Sequence, residues 1–155
     1  AQRFTETKMK PLLSASMALM SVLNPSTVSS TVAAKSCPQY EQLLVKYAPK
    51  PLGWDVKKMS YYMWRESRCH NNSFNGHDSG LLQINKVNYP YLEQRLKIKM
   101  SPKALFDPKT NVRAAALLCQ YWQRGLNFKD ACYIPWRPVV KAHNPIQLKP
   151  LSGLQ

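Results

Sequence analysis

The chain has 155 residues and carries 22 Lys and Arg against 8 Asp and Glu, a formal net charge of +14. That length favours one domain, and a hydrophobic fraction of 45% excludes a wholly disordered polycation. No apolar run reaches the roughly 20 residues that a membrane span needs. The composition therefore predicts a basic globular domain with an anionic partner: nucleic acid, a membrane surface or an acidic glycan.

The first 34 residues differ from the rest. Met9-Lys10-Pro11 precedes an apolar run from Leu12 to Leu23, and a Ser/Thr-rich stretch ends at Ala34. A basic start, a short apolar stretch and small residues before a cleavage point are typical of a secretory signal peptide. The alternative is an arm that stays attached. Residues 35–155 hold 19 basic and 7 acidic residues, so the remaining chain has a charge of +12 in either case.

Three helices are predicted in chain order. Residues 39–48 have apolar side chains at helical spacing, and prolines flank them at both ends. Residues 54–67 form a second helix with Met59 and Met63 on its apolar face. The third begins after Asp107, an N-cap residue followed by proline at the first helical position.

The segments between and after these helices are rich in turn-forming residues. Residues 70–79 predict a loop or a small hairpin, and Leu81 to Ile84 is a short apolar run. From Tyr133 onward the prolines forbid a long helix, so we expect an extended tail over the surface. The predicted organisation is a segment 1–34, a domain 35–136 and a Pro-rich tail 137–155.

Four cysteines, an even number, lie after the first segment. Such a count behind an export signal predicts disulfides. Three pairings are open; we favour Cys37 with Cys69 and Cys119 with Cys132, each of which ties a helix to a neighbouring segment. We expect no metal site, because there is no C-x-x-C motif and the three histidines are scattered.

Glu66 is the acidic residue whose position is unusual. It shares the apolar face of the second helix with Met59 and Met63, and it lies in the last turn, where the helix dipole disfavours a negative charge. Both effects favour the neutral acid, the form that a general acid needs. The alternative is a structural site in which Arg65 or Arg68 pairs with Glu66.

Asp78 is the second carboxylate of interest, in the polar loop before Gly80. We expect it to stay ionised, and two carboxyl groups in unlike surroundings are typical of glycosidases. The alternative is an Asx-turn residue that opens the loop. If residues 82–85 are extended, Gln83 and Asn85 place both amides on one face, where they can bind the N-acetyl and hydroxyl groups of amino sugars.

Three stretches resemble one family. Trp64 to Cys69 (WRESRC), Asp78 to Asn85 (DSGLLQIN) and Leu105 to Ala115 (LFDPKTNVRAA) are similar to the lysozyme-like domain of soluble lytic transglycosylases, in versions from secreted bacterial proteins and phage particles. The resemblance spans roughly Cys37 to Trp136. It implies a mainly α-helical, α+β lysozyme-like fold with a small β element beside the active-site cleft.

The resemblance also implies an activity, cleavage of the β-1,4 bond between N-acetylmuramic acid and N-acetylglucosamine in peptidoglycan. Glu66 falls on the catalytic acid, and Gln83 on the substrate-binding glutamine, with Ser79 beside it. Asn85, through its amide, and Trp136, through its indole ring, are our further candidates for substrate binding. No cofactor and no metal are expected.

The route of cleavage stays open. Asp78 to Asn85 also resembles a stretch of animal-type lysozymes in which the aspartate is the second catalytic carboxylate. Here its spacing from Glu66 is shorter than in those enzymes. The Ala-Tyr-Asn-x-Gly motif of many lytic transglycosylases is missing. Both a hydrolase that uses Asp78 and a transglycosylase assisted by the N-acetyl group of the substrate remain candidates.

Two further interpretations compete with a secreted enzyme. One is a non-catalytic basic protein that binds anionic wall polymers or nucleic acid, although no specific nucleic-acid-binding motif is visible. The other keeps the enzyme but carries it in a phage particle, with residues 1–34 as an assembly arm against virion partner chains.

Overall fold

The computed structural model describes residues 34–137. The expected signal peptide or arm, and all of the expected tail beyond Arg137, therefore lie outside the described residues. Within them, a 3-10 turn at Pro38–Tyr40 leads into the following elements: α1 Glu41–Lys46, α2 Val56–Ser67, β1 Asp78–Ser79, β2 Ile84–Asn85, α3 Tyr89–Leu96, α4 Pro102–Leu105 and α5 Pro108–Leu126. Further 3-10 segments span Lys86–Asn88 and Lys129–Trp136.

The three predicted helices are present as α1, α2 and α5. Asp55 begins α2, where its carboxylate accepts the backbone N–H of Lys58 at 2.9 Å, and Met59 and Met63 are fully buried. Asp107 caps α5 in the same way, because its Oδ2 accepts from the backbone N–H of Thr110 at 2.8 Å. The mainly α-helical fold class is confirmed.

Two short helices were not predicted. The α3 sequence begins Tyr89-Pro90-Tyr91, and Pro90 stands in its first turn, where proline costs no hydrogen bond. Ser101 begins α4, and its hydroxyl accepts from Ala104 N–H at 3.1 Å. Their eight and four residues are too few for a clear apolar period.

The polar loop contains the small β element. β1 and β2 pair antiparallel, with Asp78 opposite Asn85 and Ser79 opposite Ile84. The stretch between them is a turn and not an extended strand, because Gln83 has φ +46° and its N–H donates to Gly80 O at 3.2 Å. The extended stretch that would place the Gln83 and Asn85 amides on one face is therefore not formed.

The expected extended course from Tyr133 is wrong for residues 133–136. They end the 3-10 segment Lys129–Trp136, and Tyr133 and Trp136 are 1% and 4% exposed. The Tyr133 hydroxyl accepts Asp55 N–H at 2.8 Å, and burial raises the pKa of that phenol. Proline stopped an α-helix here, but not a 3-10 segment that packs its aromatic side chains into the core.

The hydrophobic core lies where α5 packs against the other elements, and two disulfides close it. Cys37 is bonded to Cys69 and Cys119 to Cys132, as favoured. The second bond joins α5 to the 3-10 segment that follows it. Across residues 34–137, the model has no helix long and apolar enough to cross a membrane.

Candidate active site

Glu66 lies in the last turn of α2. The helix ends at Ser67, and the C-cap residue Arg68 takes the left-handed conformation with φ 53°. The Glu66 side chain is 25% exposed, so it reaches solvent from a largely covered position. Its apolar neighbours on the same helix face, Met59 and Met63, are buried beneath it.

Arg65 is the partner of Glu66. Its Nε donates to Glu66 Oε1 at 3.0 Å, and its Nη2 contacts both the same oxygen and the backbone carbonyl of Trp136. Arg68 instead lies over the Trp64 ring, 3.8 Å from its centroid. Of the two arginines considered from the sequence, Arg65 makes the pair. No hydrogen bond described within residues 34–137 uses Glu66 Oε2, the second oxygen.

The turn between β1 and β2 is tied to the end of α2 through Ser73. The Ser73 hydroxyl donates to Ser67 O at 3.4 Å, and the Ser73 carbonyl accepts Gly80 N–H at 2.8 Å. Gln83 Nε2 donates to the carbonyls of Ser73 and Gly80 at 3.2 and 2.8 Å. The donor end of this amide therefore stabilises the turn, and no hydrogen bond described within residues 34–137 uses its Oε1.

Asn111, a residue that the sequence argument did not single out, holds the same turn from α5. Its Oδ1 accepts Leu82 N–H at 2.9 Å, and its Nδ2 donates to Ser79 O and Leu105 O at 3.0 Å each. Asn111 is fully buried. Gly80 lies against it with φ +77°, and a Cβ there would collide with the Asn111 amide and Leu105 O, so only glycine fits.

Two of the candidate substrate-binding residues are buried. Trp136 is 4% exposed, and its indole N–H donates to Leu82 O at 2.8 Å. Ser79 is fully buried, with its hydroxyl 3.4 Å from the Tyr89 hydroxyl. The Trp136 side chain holds the turn and the Ser79 hydroxyl contacts α3, and neither offers a surface to a sugar in this conformation.

Asp78 and Asn85 face each other across the β pair. Asp78 Oδ2 accepts from Asn75 Nδ2 at 2.9 Å, and Asn75 Oδ1 accepts the N–H groups of His77 and Asp78 at 3.0 and 2.8 Å. The Asx turn expected here exists, but Asn75 provides it. Asn85 Oδ1 accepts Val87 N–H at 3.0 Å, so Asn85 caps the 3-10 turn that follows β2.

Together these contacts form one polar network. It runs from Glu66 through Arg65 to Trp136, then to Leu82 and Asn111. Ser73 and Asn111 were not predicted at the site, although Asn111 lies inside a family-like stretch. Arg65 was predicted only as a possible partner of Glu66 in a structural site, and that pair is present. Within the described residues, no group of three or more His, Cys, Asp or Glu could hold a metal ion.

A family model described as the transglycosylase SLT domain matches residues 46–144, more than half of the chain. The protein therefore belongs to the transglycosylase SLT domain family, and this membership supports an enzyme of the lytic transglycosylase type that acts on peptidoglycan. Searches of the curated proteins and of the solved structures give no match.

Proposed function

We propose that this chain cleaves the β-1,4 bond between N-acetylmuramic acid and N-acetylglucosamine as a lytic transglycosylase, with Glu66 as general acid and then base. The observation that carries the proposal is the arrangement at Glu66. Arg65 fixes one carboxyl oxygen, and Oε2 has no protein partner among the described residues. One oxygen is thus oriented by the protein, and the other is free to exchange a proton with the substrate.

The chemistry needs one carboxyl group. Protonated Glu66 gives its proton to the leaving glycosidic oxygen while the N-acetyl oxygen of the substrate attacks the anomeric carbon. The resulting Glu66 carboxylate then takes the proton of a hydroxyl group of the same sugar. The oxygen of that hydroxyl bonds to the anomeric carbon and displaces the N-acetyl oxygen, which restores the N-acetyl group and leaves an anhydro product.

The hydrolase route is the alternative, and it requires Asp78. In that route the Asp78 carboxylate stabilises the oxocarbenium-like state or attacks it, and water completes the reaction. Asn75 Nδ2 donates to one oxygen of this side chain, Oδ2, at 2.9 Å, and membership of the transglycosylase SLT domain family favours the route that needs only one carboxyl group. We therefore favour the route in which Asp78 shapes the loop and takes no part in bond cleavage.

For substrate binding, we keep Gln83 as the leading candidate. Its Oε1 can accept from a sugar hydroxyl or an N-acetyl N–H, and its donor end fixes the turn. Asn85 stays a weaker candidate because its oxygen caps a turn. We propose supporting roles for Ser79 and Trp136, since both are buried. The charge of residues 35–155 concentrates the protein on anionic wall polymers.

The test is lysis of purified cell walls by Glu66→Gln beside Glu41→Gln as a control. Glu41 carries another surface ion pair, to Lys57 at 2.7 Å, so the control makes the same chemical change away from the site. We expect Glu66→Gln to lose about 10²–10⁴-fold in rate, and the control to keep wild-type activity. If Glu66→Gln lyses walls at the wild-type rate, Glu66 is not the general acid. Salt-sensitive wall binding without glycan release by the wild type would favour the non-catalytic protein.

We also propose that the protein works outside the cytoplasm. Its two disulfides persist in oxidising compartments, and the family membership is compatible with an extracellular or periplasmic location. The N-terminus of protein recovered from its source tests the two forms of this proposal. A start at Lys35 supports a cleaved signal peptide. Residues 1–34 held against another chain of a particle support the phage form.

A further inference from the structure

A basic groove lies between the end of α1, the end of α3 and one face of α5. It is lined by Tyr47 and Pro49 after α1, by Arg95 and Leu96 from α3, and by Arg113, Ala116, Leu117 and Gln120 from α5, and its volume is about 250 Å³. This is slightly below the range of about 300–1,000 Å³ that is usual for small-molecule sites. The groove therefore suits a short fragment.

The groove is on the opposite side of α5 from the turn that Asn111 holds. Its four α5 residues recur at i, i+3, i+4 and i+7, which places them on one helix face. Asn111 precedes Arg113 by two residues, about 200° around the helix. A ligand in the basic groove would not contact the network at Glu66.

The two arginines give the groove a positive charge, and neither has an acidic partner within residues 34–137. No ion pair or hydrogen bond within residues 34–137 involves the guanidinium of Arg95 or Arg113. Glu93, the acidic residue of α3, is already engaged by Lys99 at 3.1 Å and by Met100 N–H at 2.9 Å. Two guanidinium groups at one small groove are suited to bind a carboxylate through charge-assisted hydrogen bonds.

Besides the two arginines, the groove is lined by Tyr47, Pro49, three aliphatic side chains and one amide. Leu96, Ala116 and Leu117 are half-buried, so they offer a surface for small aliphatic side chains. Gln120 Nε2 donates to Lys50 O at 2.8 Å, which leaves its Oε1 to accept a peptide N–H. A carboxylate, a short aliphatic part and an N–H group are the features that this groove can satisfy together.

We propose that the basic groove binds the free carboxylate end of a short peptide with small aliphatic side chains. The inference rests on the proposed function in one respect, which is that such peptides are attached to the glycan substrate. A phosphate polymer would meet the arginines but has no aliphatic part for Leu96 and Leu117. Peptide binding at this face would hold the wall at a second point, away from the bond that is cleaved.

The test is an NMR titration of the full-length, disulfide-bonded protein with N-acetyl-Ala-Ala-Ala. The same peptide as a C-terminal amide is the matched ligand, since it differs only in charge. We expect the acid to shift the amide signals of Ala116 and Leu117, and the amide form to bind at least about tenfold more weakly. Equal binding of the two forms, or no saturable shift with either, overturns the proposal.

Variants assign the binding to the two arginines. Arg95→Gln and Arg113→Gln should each weaken binding about tenfold, and the double Lys variant should restore part of it because the charge remains. The control is Lys103→Gln with Lys129→Gln, two exposed residues outside the groove. An equal loss in this control overturns the proposal, since the effect would then be one of net charge.

Two further measurements separate this proposal from others. Glu66→Gln should bind the peptide as the wild type does, so a failure of catalysis and a failure of the groove give different results. Inorganic phosphate and a glycerol phosphate polymer are titrated in parallel. Tighter binding of the polymer than of the peptide, displacing it from the groove, overturns the peptide assignment in favour of phosphate.

Discussion

The two carboxylates closest to the proposed chemistry are held in different ways. Glu66 is oriented by Arg65, which also contacts the carbonyl of Trp136, 71 residues later, and the Trp136 indole continues to Leu82. Asp78 is held by Asn75, three residues earlier. The orientation of Glu66 therefore depends on the tertiary fold, whereas that of Asp78 depends on one local turn.

This difference separates positions that need the whole fold from those that a short peptide segment can form. It agrees with the proposed roles, because a group that transfers protons must be held in a fixed geometry. It also predicts which substitutions disturb catalysis and which disturb only local stability.

The largest effect is expected for Asn111→Ala. The change leaves Leu82 N–H and the carbonyls of Ser79 and Leu105 without their partner, so we expect a loss of about 3 kcal/mol or more in unfolding free energy. Lysis should fall further than the folded fraction does, because the turn that bears Gln83 loses its support. Denaturant unfolding and wall lysis measure the two effects.

Gln123→Ala is the matched control for Asn111→Ala. Gln123 is also a buried amide on α5, and its Nε2 donates to Gly53 O and Lys129 O at 2.7 and 3.0 Å. We expect a loss of stability of about 2 kcal/mol with activity per folded molecule unchanged. Equal losses of activity in the two variants would show that the Asn111 contacts are not special to the site.

Trp136→Phe should have the next largest effect. It removes the indole N–H that Leu82 O accepts, at a cost of about 2 kcal/mol including lost packing. Trp54→Phe removes a similar bond, from the Trp54 indole to Leu44 O at 2.9 Å, just before the start of α2. Both variants should lose similar stability, but only Trp136→Phe should lower kcat/KM. If Trp54→Phe lowers kcat/KM as much as Trp136→Phe does, the Trp136 bond has no special part in the site.

Asp107 is held by local contacts at the start of α5, and its contribution to stability depends on pH. The Thr110 hydroxyl and backbone N–H bind its carboxylate and lower the pKa of Asp107 from its ordinary value of 3.8. The contribution of the Asp107 carboxylate to the free energy of unfolding is therefore complete above pH 3.8. It is lost as the pH falls through the lower pKa of the folded state. Asp107→Ala should lower the free energy of unfolding by about 1 kcal/mol at pH 7. Urea unfolding should show that the difference between the wild type and the variant becomes smaller in acid. A difference that grows in acid contradicts this account.

The smallest effect is expected for Asn75→Ala. The change removes the bonds to His77 N–H, Asp78 N–H and the Asp78 carboxylate, all in an exposed loop. We expect a loss below about 1 kcal/mol and lysis within about twofold of the wild type. A loss of activity as large as that of Glu66→Gln would give Asp78 a direct part in catalysis.

The features that sequence pattern could predict are the local ones. Asp107-Pro108 marks the start of α5, Met59 and Met63 mark the buried face of α2, and both disulfides match the favoured pairing. The short helices α3 and α4 were not predicted, because capping residues and prolines define them more than any apolar periodicity does. The 3-10 segment at 129–136, which buries Tyr133 and Trp136, was not predicted because Pro135 indicates only that an α-helix stops.

The contacts within the site were less predictable. The position of Glu66 on the apolar face was visible in the sequence, but its contact with Arg65, and that of Arg65 with Trp136, join residues up to 71 apart. Trp136 is an aromatic residue that can stack on sugars. The sequence does not show that its indole N–H donates to the Leu82 carbonyl in the interior of the protein. Periodicity reports which face is buried, but not which backbone carbonyl lies beneath it.

Mass spectrometry of the muropeptides released from purified walls tests the central claim most directly. Wild type, Asp78→Asn and Glu66→Gln are compared under the same conditions. The account predicts anhydro ends from the wild type and from Asp78→Asn, and about 10²–10⁴-fold less product from Glu66→Gln. Reducing ends from the wild type that disappear in Asp78→Asn would contradict it, and would assign the chemistry to both carboxylates.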